Sequence, residues 1–85
     1  MDRQQRIIAA REIVTKYLHG EIDPERNPEI FDDDIVYFAV ARLDHHDIDW
    51  LLAQLANPQW PQKIRAEIAA MMPGHRTEAQ AALEV

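Results

Sequence analysis

The chain is expected to fold as an all-α bundle, four short helices and a short fifth at the C-terminal end, in a single domain over 1–85. Three observations lead there. Apolar residues recur at intervals of three and four rather than alternating, the period of helices with one buried face. The helix breakers are few, 5 Pro and 2 Gly, and they cluster between the periodic segments. At 85 residues the chain is 47% hydrophobic and 28% charged, a globular composition with room for one modest core that buries about 60% of the unfolded surface.

The first helix is expected from about Asp2 to His19. Ile7, Ala10, Val14 and Tyr17 make its stripe, Ile8, Ile13 and Leu18 widen it, and Arg3, Arg6, Glu12 and Lys16 are assigned to the solvent side. Gly20 stands where a helix closes in a left-handed residue. Pro24 and Pro28 bias Asp23 and Asn27 away from helical backbone, so about ten residues form a connector, pinned by Ile22, Ile30 and Phe31. Asp32-Asp33-Asp34 supplies an N-cap and first-turn carboxylates for a helix over about 33–43. Its apolar residues, Ile35 to Val40 with Ala41 and Leu43, run nearly all round, which predicts the most buried helix of the set.

A third helix is expected to start at Asp44, with Asp47 in the capping-box position and Ile48, Leu51, Leu52 and Leu55 as its stripe. Trp50 falls off that stripe. Asn57-Pro58 is read as its end and as the cap of a fourth helix, whose inner face is Trp60, Ile64, Ile68 and Met71 and which stops at Pro73-Gly74. Thr77-Glu78-Ala79-Gln80 fits a capping box for the last helix, an alanine-rich one with weak burial.

Charge is unevenly distributed. Of fifteen acidic residues, ten lie between Gly20 and Trp50 against only Arg26 and Arg42, a local net charge of −8 inside a total of −6. Such a field attracts basic surfaces and repels phosphate backbones and anionic membranes, so neither nucleic acid nor membrane is the expected partner. No apolar run approaches the roughly 20 residues of a bilayer span. Ile7-Ile8-Ala9-Ala10 is too short for the core of a signal peptide, and a soluble cytoplasmic location is expected.

Little in the composition supports catalysis. Cysteine and serine are absent, which removes thiolate chemistry and any Ser-His-Asp arrangement, and two glycines cannot build a phosphate loop. No enzyme activity, cofactor or metal is expected. The densest polar cluster is Asp44-His45-His46-Asp47-Ile48-Asp49. His46-Asp47 resembles the paired ligands of His-Asp phosphohydrolases over two residues, and on a helix His45 and Asp49 would be neighbours able to hold one metal weakly. The competing reading is a charged helix start with two solvent-facing histidines.

The leading expectation is a non-enzymatic protein-binding module, an adaptor or inhibitor, that meets a partner with a basic surface through Asp33, Asp34, Tyr37, Asp47, Asp49 and Trp50. Carboxylates would steer the encounter and aromatics anchor it. By size and charge alone it is similar to small acidic helical proteins of phages and mobile elements. A homodimer is the other assembly open to it. The alternative is a small helix-turn-helix regulator of DNA, with helices at about 44–56 and 58–72 presenting Gln59, Gln62, Lys63 and Arg65.

Overall fold

The computed structural model describes residues 2–22 and 33–84. The expected connector, with Asp23, Glu25, Glu29, Ile30, Phe31 and Asp32, lies outside the described residues apart from Glu21 and Ile22. Among these residues five α-helices follow one another: α1 (Arg3–Leu18), α2 (Asp33–His46), α3 (Ile48–Leu55), α4 (Gln62–Ala70) and α5 (Arg76–Leu83), with a 3₁₀ turn at Pro73–His75. Among the described residues there is no strand, so the bundle is all-α as expected.

Helix α1 is closed at both ends by its own sequence. Asp2 caps it by accepting a hydrogen bond from the Gln5 N–H at 2.8 Å. At the other end Gly20 takes φ +79°, with its N–H donating to Tyr17 O at 3.1 Å and the Glu21 N–H donating to Lys16 O at 2.9 Å. This paired closure leaves few orphan carbonyls and turns the buried Ile22 back onto the core. Arg3 and Phe38 line one depression with His46, and Ile13 and Ile35 line the next, so α1 and α2 run antiparallel.

Helix α2 is longer than the expected 33–43, and Asp44 does not start a new helix. The inner stripe of Val36, Val40 and Leu43 keeps its period with no Pro or Gly to interrupt it, and the chain breaks only at Asp47, where φ is −151° and ψ 48°. Asp44 therefore lies inside α2, and its carboxylate accepts from His75 Nδ1 at 2.6 Å, tying the helix to the 3₁₀ turn. Gly74 makes this approach possible, because a Cβ there would sit 3.0 Å from Asp44 Oδ2. Asp47 occupies the position before α3 but makes no side-chain cap, since its carboxylate is turned to Arg11.

The expectation that α2 is the most buried helix is not met. Phe38 is 65% exposed and Tyr37 46%. The inner third of the helix is covered by α1, α3 and the 3₁₀ turn, and a chain this small has no further layer among its described residues to cover the outer face.

The junction after α3 also differs from expectation. The Asn57 side chain accepts from the Gln59 N–H at 2.9 Å, a local turn rather than a helix cap, and α4 starts only after Pro61. Trp60 thus precedes α4 instead of lying on it; its indole N–H donates to Gln54 Oε1 at 3.0 Å and its ring meets His19 edge-on at 4.7 Å. Ala79 and Ala82 of α5 are buried against the core, so the last helix is docked more firmly than its alanine content suggests. It starts at Arg76, ahead of the expected capping box, and no side chain caps it. Leu43, Leu51, Leu55, Ile68 and Met72 are fully buried where α2 to α5 converge.

Candidate functional site

The acidic residues singled out by sequence fall into two groups. Asp34 is exposed on the outer side of α2 and Asp49 on the first turn of α3, whereas the side chain of Asp33 lies outside the described residues. Asp44 and Asp47 face inward and join elements of the fold. Arg11 Nε donates to Asp47 Oδ2 at 2.5 Å and the guanidinium lies 5.4 Å from the centroid of the Trp50 ring. The hydrogen bond to Asp47 raises the Arg11 pKa above its already high ordinary value, partial desolvation opposes this, and the charge of Asp47 adds to it. Asp47 and Trp50 are therefore the two halves of a clamp on α1, with Trp50 half-buried.

Two of the three exposed large apolar side chains among the described residues are aromatic. Tyr37 and Phe38 stand next to one another on α2 with ring centroids 5.9 Å apart and planes at 75°. An edge-on aromatic pair at a surface carries large, rigid contact area with little side-chain entropy to lose. Asp34 precedes Tyr37 by three positions, on the same side of the helix.

The other flank of α2 is basic, a feature missed by reading Arg3 and Arg6 as pointing away from the bundle. Arg3, Arg6, Arg42 and His46 converge on an open groove between α1 and α2, in two adjoining depressions of about 650 and 310 Å³ that share Arg6, Phe38 and Arg42. Arg3 Nη2 lies 2.9 Å from His46 Nδ1. A guanidinium can only donate, so Nδ1 accepts and the imidazole proton sits on Nε2. Partial desolvation and the positive charges of Arg3, His45 and Arg42 hold the His46 pKa below the ordinary imidazole value. The signal was present in the sequence: Arg3 and Arg6 are spaced to flank Ile7 and Ala10, and residue 42 falls on the α2 stripe of Ile35 and Ala39.

The histidine-carboxylate cluster does not assemble a ligand set. His46 turns to Arg3 and Asp47 to Arg11, and the helix break at Asp47 puts His45 and Asp49 on different helices, so their expected i, i+4 relation is absent. Among the described residues no group of three or more His, Asp or Glu side chains could hold a metal ion.

The helix-turn-helix residues are also dispersed. Gln59 lies in the turn, Gln62 and Lys63 are exposed on the first turn of α4, and Arg65 is buried. Arg65 Nε donates to Trp60 O at 2.9 Å and Nη1 to Leu55 O at 3.0 Å, so this guanidinium seals the α3–α4 junction and is unavailable to phosphate or base. Helices of eight and nine residues separated by 56–61 replace the longer pair expected at 44–56 and 58–72. No helix among the described residues is long and apolar enough to cross a membrane. The chain matches no protein-family model, no curated protein and no solved structure.

Proposed function

We propose that this chain is a non-enzymatic protein-binding module, an adaptor or inhibitor, that docks a partner on the outer face of α2. The observation that supports it is the exposure of Tyr37 and Phe38, side by side, while the other large apolar side chains among the described residues, Ile8 apart, are half-buried or buried. Tyr37 is the anchor. Asp34 and the net charge of −6 steer a basic partner surface towards it. Asp47 and Trp50 hold α3 against α1 and support the face from behind rather than touching the partner.

Affinity capture from the source organism's lysate, run in parallel with wild-type, Y37A and D34K baits after nuclease treatment, tests the reading. A stoichiometric basic protein held by the wild type and lost from both variants is the expected result. Equal recovery on all three baits, or recovery of nucleic acid alone without nuclease, would remove it.

A further inference from the structure

The α1–α2 groove has a polarity gradient that the protein-binding reading does not use. One end is cationic, with Arg3, Arg6, Arg42 and His46 around the opening. The other end is apolar, walled by Ala10, Ile13, Ile35 and Ala39. Phe38, 65% exposed, lines both depressions and stands as a side wall over the passage between them. From Arg3 to Ile13 the groove follows ten residues of helix, about 15 Å at 1.5 Å per residue.

The guanidinium groups of Arg6 and Arg42 have no hydrogen-bond or ion-pair partner among the described residues. That two guanidinium groups with no ion pair among the described residues line the same two depressions, in a chain of net charge −6, is the point that calls for an occupant. Arginine presents a planar fork matched to a carboxylate, and the His46 Nε2–H adds a neutral donor at the same end. A nucleic acid would bring many phosphates against the acidic remainder of the surface, whereas a single-charge ligand meets only the local cations.

We propose that this groove binds a small anionic amphiphile, its carboxylate held between Arg6 and Arg42 and its linear apolar tail laid along Ile13, Ile35 and Phe38. The site shares Phe38 with the partner face, but its cationic end is separate from it: Tyr37 and Arg42 are five positions apart, about 140° round the helix.

Decanoate is the probe. Calorimetric titration of the folded chain is expected to give one-to-one binding, at least about tenfold tighter than decyltrimethylammonium, which keeps the tail and reverses the charge, and tighter than acetate, which keeps the head alone. R6A and R42A, checked for native helicity by circular dichroism, should each weaken decanoate about tenfold and leave capture of a protein partner through Tyr37 unchanged. In amide spectra of the wild type, decanoate should shift Ala9, Ala10 and Ala39 most. Equal binding of the cationic amphiphile, unchanged affinity in both arginine variants, or shifts centred elsewhere would overturn the site, as would self-association that buries the groove and excludes decanoate.

Discussion

Arg65 supports a quantitative prediction, because its surroundings are fully defined. It is a charged side chain only 9% exposed, and its two donors end on the carbonyls of Leu55 and Trp60 at 3.0 and 2.9 Å. Hydrogen bonds from a charged donor are each worth about 1.5–3 kcal/mol, and truncation strands both acceptors. Against this stands the desolvation cost of burying a guanidinium, which is relieved when it is removed. R65A is therefore expected to lose about 2–4 kcal/mol, a large share of the 5–15 kcal/mol typical of a domain, and to lower Tm by roughly 10–25 °C. R65M keeps the apolar stem and loses both hydrogen bonds, so the gap between R65M and R65A reports stem packing alone. Urea unfolding followed at 222 nm gives both values, provided the m-value is unchanged. If R65M stays within about 0.5 kcal/mol of the wild type, the two carbonyl contacts do not hold the α3–α4 junction and the account of Arg65 is wrong.

Gly20→Ala should cost about 1–2 kcal/mol, through the backbone alone, since φ is +79° and an added Cβ would meet nothing within 4 Å; G20N should cost less, and equal stability of all three in urea would contradict the left-handed closure. Tyr17→Phe removes a hydroxyl that donates to Glu67 Oε2 at 2.5 Å and should cost about 1–2 kcal/mol. A double-mutant cycle with E67Q should return most of that as coupling, and strict additivity would show that the contact is not formed. His46 should titrate below about 6.5 in a carbon-resolved imidazole experiment, and R3Q should move it upward. Because its folded value is depressed, the unfolded chain takes the proton first as pH falls below about 6.5, so stability drops with acidification until the folded imidazole also protonates and is unaffected at higher pH. A His46 titration at or above 6.5 would refute the depression that desolvation and the neighbouring cations are argued to cause.

Much of the bundle was legible because inner stripes are local. Val14, Leu51, Leu55 and Ile68 repeat at helical spacing and are buried in the structure, and Gly20 carries its own conformational requirement. What local pattern does not encode is how many neighbours a helix receives. The all-round apolar text of α2 is the same whether another layer covers Tyr37 and Phe38 or solvent does, so its burial was overestimated. Likewise, a capping residue and a long-range partner look alike in sequence. Asp44 and Asp47 stand where N-caps would, yet His75 and Arg11, 31 and 36 positions away, claim their carboxylates. Arg65 shows the converse: an arginine near Gln62 and Lys63 reads as solvent-facing until the carbonyls of Leu55, at the end of α3, and Trp60, in the turn before α4, are found beside it.

Those long-range ties change what the acidic segment means. Asp44 to the 3₁₀ turn, Asp47 to α1 and Glu67 of α4 to Tyr17 each join two elements that a small apolar core alone would hold loosely. The two ion pairs among them are partly exposed and such pairs contribute little to net stability, so the physical value of Asp44 and Asp47 lies in fixing which helix meets which rather than in depth of burial. Two of the ten carboxylates between Gly20 and Trp50 are thereby removed from any steering role, and a cation of α1, Arg11, with them. The charge left near α2 is then divided by the helix itself, with Asp34 beside Tyr37 on one flank and Arg42 facing Arg6 on the other. Since the flanks share only Phe38, charge reversal at Asp34 and at Arg42 should act additively on any binding measured. Strong coupling between D34K and R42E would mean that a single ligand spans both flanks, and the two sites would then have to be treated as one.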